Sequence, residues 1–153
     1  MTISPKETSP INRETKGEWL QTRPGERCSI LATAADTEGG YSVVEIVSQP
    51  GDGTSVHLHH NEDEHFVILE GTARVLYGDK TFDAPAGTSI TLTRKIRHAW
   101  CNPFSSPFRM VAIVSPGGCE EAFRMIVRGD EFDIDTIRQK FGIEVLGPPM
   151  LAA

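Results

Sequence analysis

Short strand-forming runs, broken at close intervals by turn residues, are the feature of this sequence that most restricts its fold. Between residues 28 and 115 the apolar and β-branched residues fall into brief runs, and Gly, Asp and Pro separate one run from the next. The runs cover residues 28–33, 41–49, 55–60, 64–70, 72–77, 88–93, 98–101 and 108–115. Many short strands with turn signals between them are typical of an antiparallel sandwich or barrel. The sequence therefore predicts an all-β domain.

The two ends of the chain have a different character. Residues 1–16 are polar and contain two Ser-Pro pairs, which predicts a flexible N-terminal arm. Residues 119–127 and 135–141 carry helix formers, with Asp133 or Asp135 as a candidate N-cap and Gly142 just past the second segment. We predict one domain over 17–153, with its core barrel at about 41–115 and a short helical appendage at about 119–142.

Charge and composition exclude several classes of partner. The formal net charge is −6, and a surface of that sign repels phosphate backbones, so we expect no nucleic-acid partner. No apolar run approaches the roughly 18 residues of a membrane span, and residues 1–19 lack a signal-peptide core.

The cysteines, Cys28, Cys101 and Cys119, are odd in number and widely spaced. They are expected to be reduced thiols in a cytoplasmic protein.

The run Phe66-Val67-Ile68-Leu69 departs from the alternation of apolar and polar residues. A strand with one wet face should alternate, so the outer side of this strand needs a cover. Either the C-terminal helices or a second subunit could supply that cover. We expect a homodimer.

Four of the five histidines lie within nine residues, at positions 57, 59, 60 and 65. Residues i and i+2 of a strand project to one face, so His57 and His59 point the same way. Glu64 opens the next strand after a turn at 61–63 and can lie across from both imidazoles. These three side chains are suitable ligands for one divalent metal, although a solvated, charged tip is the alternative. Glu64 shares its face with Phe66 and Ile68, and a carboxylate aimed into a core needs a partner, which favours the metal.

The spacing of these residues resembles the first sequence motif of the cupin family. Gly51 is followed after five residues by His57-Leu58-His59, after four more by Glu64, and after six more by Gly71. Every fixed position of the motif G(X)5HXH(X)3–4E(X)6G is therefore matched. The motif implies the double-stranded β-helix barrel of that family, a jelly-roll variant.

A second cupin motif is matched in part. Gly87, His98 and Asn102 fall in register, while Thr93 stands where the motif has Pro and Lys95 where it has Gly. By this resemblance His98 is the fourth ligand, beside His57, His59 and Glu64, of one divalent ion: Fe, Mn, Ni or Zn. The motifs span residues 51–102, about a third of the chain.

The resemblance also implies a range of activities for the site. The tail 142–149 and the overall pattern are similar to small bacterial cupins described as quercetinase-like, which implies a metal-dependent dioxygenase acting on a small enolic or aromatic compound. Glu64 is the candidate catalytic base. Phe66, Ile68 and Trp100 fall on the ligand face and are either pocket lining or plain core. The alternatives are a redox-neutral metal-dependent isomerase and a non-catalytic ligand-binding or sensor module.

Overall fold

A computed structural model describes residues 18–131 and 133–151 of the chain. The predicted N-terminal arm, residues 1–16, lies outside these described residues. The strands are β1 Leu20–Arg23, β2 Glu26–Ala32, β3 Ser42–Ser48, β4 Ser55–His59, β5 Asp63–Glu70, β6 Thr72–Tyr77, β7 Lys80–Pro85, β8 Ser89–Leu92, β9 His98–Cys101, β10 Phe108–Ser115 and β11 Ile143–Pro149. The helices are a 3₁₀ turn at Ala35–Thr37, α1 at Glu120–Arg128 and α2 at Ile134–Phe141.

The strands form two antiparallel sheets that face each other. One sheet has six strands in the order β1-β2-β3-β10-β5-β8, and the other has five in the order β11-β4-β9-β6-β7. Consecutive strands pass from one sheet to the other, as β4 and β5 do and as β9 and β10 do. This arrangement is a double-stranded β-helix, so the predicted all-β fold is confirmed.

The core lies between the two sheets, where inward-facing side chains stack in rows across the strands. Phe66 of β5 pairs with Ala112 of β10, which pairs with Val44 of β3. The next row pairs Ile68 with Met110. All five side chains are at most 4% exposed, and period-2 alternation is what places them on one face.

Three strands were not predicted, namely β1, β7 and β11. β7 is exposed at all but one position, so its sequence lacks the apolar alternation that marks a half-buried strand. β11 contains Gly147, Pro148 and Pro149, which disfavour a central strand, but it lies at a sheet edge where proline is tolerated. The sheets therefore extend beyond the predicted core barrel of about 41–115 in both directions.

The two C-terminal helices are present, as predicted. Asp133 caps α2 by accepting a hydrogen bond from the backbone N–H of Thr136, and Gly142 ends the helix in the left-handed conformation. α1 packs beside β1 and α2 beside β11, each at the edge of its sheet. Residues of both helices line the space between the two sheets. No helix in the described part of the chain is long and apolar enough to cross a membrane.

Candidate metal centre

Three strands from both sheets bring the predicted ligands together. His57 of β4 is directly paired with His98 of β9 in the five-stranded sheet. His59 lies two residues further along β4, on the same face as His57. Glu64 enters from β5 of the opposite sheet. The site is therefore built between the sheets from regular strand positions, which hold its side chains rigidly.

The three histidines form a compact cluster. Their ligand nitrogens all lie within 4.8 Å of one another, close enough for one ion to reach all three after small side-chain adjustments. The ring of His98 lies 4.5 Å from that of His57 and 5.4 Å from that of His59, centroid to centroid. His59 and His98 are buried, whereas His57 is partly accessible. The distances between the three ligand nitrogens are therefore suited to a single metal ion.

Two of the imidazoles are oriented by backbone carbonyl groups. The Nδ1 atom of His57 lies 2.6 Å from the carbonyl oxygen of Ser55, and Nδ1 of His98 lies 3.3 Å from that of Ile96. A carbonyl oxygen can only accept, so Nδ1 donates in both cases. The proton is then on Nδ1, which leaves the Nε2 lone pair available for a metal.

The third imidazole has an acidic neighbour that sequence reasoning did not identify. Nδ1 of His59 lies 3.4 Å from Oε2 of Glu62, a residue in the turn between β4 and β5. A carboxylate on the far nitrogen of a ligand histidine fixes the ring and makes the other nitrogen a stronger ligand. Glu62 follows His59 by three residues across the predicted turn, and only that proximity could have suggested the contact.

Glu64 completes the cluster from the opposite sheet. Its Oε1 lies 2.8 Å from Nε2 of His59, and its Oε2 lies 3.6 Å from Nε2 of His98. Both Nε2 atoms and Oε2 of Glu64 are buried, and no hydrogen-bond partner satisfies them among the described residues. Buried polar atoms without partners are costly. These nitrogen and oxygen atoms point to one place, and nitrogen and oxygen are the donors that a divalent ion of this kind prefers. The residues therefore fit the metal that the resemblance implies.

The charges within the cluster shift the pKa of each member. Burial opposes ionisation of Glu64, but the neighbouring histidines, His59 above all, lower its pKa to about 2. Burial likewise opposes protonation of His59, but the carboxylates of Glu64 and Glu62 raise its pKa to about 10. Burial and the other two histidines lower the pKa of His57 to about 3. The pKa of His98 is also lowered, chiefly by burial. Without a metal, His59 is therefore the cationic imidazole of the cluster at neutral pH, whereas His57 and His98 are neutral.

At one departure from the second cupin motif, the backbone has a conformation that suits glycine. Lys95, which stands where the motif has Gly, adopts the left-handed conformation with φ +66°. Its backbone N–H donates to the carbonyl oxygen of His59, 2.7 Å away, and so ties this turn to the ligand strand. The chain accepts the steric cost of a non-glycine residue here and keeps His98 in register.

A cavity of about 200 Å³ opens beside the cluster. His57, His59 and Glu64 line it together with Phe66 and Trp100, whose rings meet edge to face at 5.2 Å. The remaining apolar lining comes from the core strands, from the helices and from β11: Val44, Ile46, Ala112, Val114, Cys119, Ala122, Phe123, Ile126, Ile137, Ile143 and Val145. Two of the three predicted pocket residues, Phe66 and Trp100, are thus at the cavity. Ile68 instead lies in the core, 1% exposed, and is not among the lining residues. It faces the same side of β5 as Phe66 but lies two residues further from the cluster.

Other charged groups near the motifs lie outside this centre. His60 contacts Glu144 of β11 at 2.7 Å, and His65 contacts the hydroxyl groups of Ser89 and Thr91. The cysteines are all buried and free. None of the basic side chains at positions 94–97 lines the cavity described above.

Comparison with known protein families supports the assignment of the fold. The family model described as a cupin domain matches residues 44–114. KdgF from Halomonas sp., a solved structure, superposes with a TM-score of 0.66 at 15% identity, over 74% of this chain and 99% of that chain. At that identity the likeness shows the fold alone.

Curated relatives match part of the chain. Mannose-1-phosphate guanylyltransferase 2 of Escherichia coli O157:H7 is 36% identical over 75 residues, which are 49% of this chain and 16% of that protein. Mannose-1-phosphate guanylyltransferase RfbM of Salmonella typhimurium is 32% identical over 109 residues, 69% of this chain and 22% of that protein. The match therefore spans less than a quarter of the length of either relative.

Proposed function

The chain belongs to the cupin superfamily, and from this premise we propose that it is a metal-dependent dioxygenase acting on a small enolic or aromatic compound. The observation that carries the proposal is a cluster of three histidines and one glutamate, of which His57, His59 and Glu64 line an apolar cavity. His57, His59, His98 and Glu64 would hold the ion. When bound, the metal supplies Lewis acidity to two substrate oxygens and, if it is a redox metal, electrons to O₂.

The residues of the chain have separate tasks in this proposal. Phe66 and Trp100 provide a flat apolar wall against which an aromatic or enolic ring packs and from which water is excluded. Glu64 lies between His59 and His98, and its carboxylate would accept the proton of a substrate hydroxyl when it loosens from the metal. Removing that proton creates the two-oxygen chelate that the site is suited to bind.

The charges around the cavity favour an unphosphorylated ligand. Arg23 is the one Arg or Lys side chain among the described residues that line the cavity, and the carboxylates of Glu26 and Asp52 offset its charge. A phosphate group is bound best by cationic side chains whose charge is not already balanced. The guanylyltransferase relatives are named for a sugar phosphate, but this chain does not offer such a group in its cavity.

Oxygen consumption tests the proposal directly. Protein loaded with Fe(II) under anaerobic conditions is mixed with a panel of flavonols and enediols, and O₂ uptake is followed with an electrode. We expect uptake that requires both the metal and the compound and that is lost in His57→Ala. His65→Ala, whose ring contacts hydroxyl groups outside the centre, serves as the matched control.

Two other outcomes would replace the proposal. Conversion of the panel without O₂ would identify a redox-neutral metal-dependent isomerase. Shifts in thermal stability with a ligand but no conversion at all would identify a ligand-binding or sensor module.

We further propose that two copies of the chain pair through the outer face of the six-stranded sheet. Leu69 on the outer face of β5 is 39% exposed, since α1 and α2 pack at β1 and β11. On the same face Arg109 lies between Glu45 and Glu70, and Oε2 of the buried Glu45 has no partner among the described residues. Charges of both signs around an exposed apolar side chain suit a self-complementary interface. Light scattering at tens of micromolar should give twice the chain mass, and a monomer there would contradict the pairing.

A further inference from the structure

The cavity carries a second polar cluster, far from the metal centre. It consists of Glu26, Arg23 and their partners, at the start of β2 and the end of β1. Both residues line the same cavity as His57 and Glu64. The function proposed above makes no use of this cluster.

The strand register places the two clusters at opposite ends of the cavity. Glu64 pairs with Val114, which pairs with Ser42 of β3, whereas Glu26 pairs with Ser48. Six residues of β3 separate these positions, so the two clusters lie at different levels of the cavity wall. A ligand bound at the metal can extend along the apolar walls toward Glu26.

The Glu26 carboxylate is buried to 99% of its surface and retains acceptor capacity. Its Oε1 accepts a hydrogen bond of 2.6 Å from the hydroxyl group of Thr22, and its Oε2 accepts one from Nη2 of Arg23. Each carboxylate oxygen can accept about two hydrogen bonds, so one further bond per oxygen is possible. Glu26 can thus accept a donor from a ligand without losing its present partners.

Arg23 adds donors beside that acceptor. Its Nε and Nη2 atoms donate to Asp52, and Nη2 also donates to Glu26. No hydrogen bond engages Nη1 among the described residues, so both of its protons are available. The cluster therefore presents an acceptor and a donor side by side, and Asp52 neutralises the charge of the guanidinium.

From this juxtaposition we infer that Glu26 and Arg23 form a second binding pole that recognises a hydroxyl group at the far end of the ligand. A hydroxyl donates to Glu26 and accepts from Nη1 of Arg23 at once, whereas an ether can only accept. The inference rests on the proposed function, because it concerns the far end of the compound held at the metal. The ligand class is a ring compound with a chelating oxygen pair at one end and a phenol or alcohol at the other.

A matched series of flavonols tests the pole by binding alone. The full chain is loaded with Zn²⁺, which is redox-inert, and titrated with 3-hydroxyflavone, 3,4′-dihydroxyflavone and 3-hydroxy-4′-methoxyflavone, followed by ligand absorbance. The three share the chelating end and differ only at the distal ring. We expect the dihydroxy compound to bind about tenfold more tightly than the other two, the usual value of one hydrogen bond to a charged group.

Glu26→Gln should reduce this preference to about twofold or less, because the neutral amide accepts more weakly than a carboxylate. Asp83→Asn on β7, which breaks an exposed ion pair with Arg74 on β6, is the control and should keep the preference. If Glu26→Gln does not fold, the comparison of the dihydroxy and methoxy compounds in the wild-type chain still tests the proposal, because the methoxy group cannot donate to Glu26.

The outcomes separate the two proposals. Equal affinity for all three flavonols would overturn the hydroxyl pole and leave the metal site standing. A preference that survives in folded Glu26→Gln would also overturn the pole. Absence of zinc-dependent binding by any of the three would overturn the pole and the proposed function together.

Discussion

Oε1 of Glu64 lies 2.8 Å from Nε2 of His59, and the two residues belong to strands of opposite sheets. The contact is electrostatic, and no partner among the described residues meets Nε2 of His59 at good hydrogen-bond geometry. In the metal-free protein the imidazole carries a positive charge and the carboxylate a negative charge. A bound metal ion replaces the proton that gives His59 its positive charge.

Metal binding should therefore release close to one proton per ion at neutral pH. The pKa of His59 is about 10 in the metal-free protein, so this imidazole is protonated at pH 7 and must lose its proton to become a ligand. Glu64 and His57, with pKa values of about 2 and 3, have none to lose. Zinc affinity should rise by about tenfold per pH unit between pH 6 and 8. Calorimetry in buffers of different ionisation enthalpy measures the released protons directly.

A zinc affinity that stays constant over this range would mean that His59 is neutral before the metal binds. The His59→Ala variant supplies the control, since its residual binding should lack the pH slope.

Replacing Glu62 by Gln should weaken metal binding while leaving all four ligands in place. The carboxylate lies 3.4 Å from Nδ1 of His59 and makes the opposite nitrogen more basic. Loss of such a contact typically costs about 10- to 100-fold in metal affinity. Competition with a chromophoric chelator measures the change. Glu144→Gln, which removes the partner of His60, is the matched control and should have no effect on affinity. An unchanged affinity in Glu62→Gln would show that Glu62 does not orient His59.

Lys95→Gly should stabilise the protein. Lys95 has φ +66°, a conformation that costs an L-residue about 1–2 kcal/mol, and glycine avoids that cost. The greater flexibility of glycine in the unfolded chain offsets about 0.4–1 kcal/mol. The net gain in the free energy of unfolding should be about 0.5–1 kcal/mol, and urea titration measures it.

Lys80→Gly is the comparison, because Lys80 begins the extended strand β7 and glycine should destabilise it. Equal destabilisation by both changes would show that the turn at Lys95 is not strained.

The ligand cluster could be predicted from the sequence because its chemistry depends on local strand geometry. The i,i+2 spacing of His57 and His59 and the turn before Glu64 need no knowledge of distant contacts. His98 is different, since forty residues separate it from His57 and only the second motif placed it. The departure at Lys95 obscured that motif, but the backbone conformation at this position is the one that the missing glycine would adopt.

The cavity could not be predicted to the same extent, because its walls come from segments that are distant in sequence. Ile126 of α1 and Val145 of β11 face the cavity only because the C-terminal segment folds back over the open side of the sheets. The sequence did not indicate that Glu26 is buried, because an isolated acidic residue in a polar hairpin is usually at the surface. Its burial follows from the pairing of β2 with β3, which is a property of the whole fold.

The metal content of His98→Ala is the measurement that tests the four-ligand centre most directly. Wild-type protein, His98→Ala and the control His60→Ala, whose ring contacts Glu144 outside the cluster, are purified in parallel and analysed by elemental mass spectrometry. We predict close to one divalent ion per chain in the wild type and in His60→Ala, and loss of most of that metal in His98→Ala. Undiminished metal in a folded His98→Ala protein would contradict the assignment of His98 and with it the centre described here.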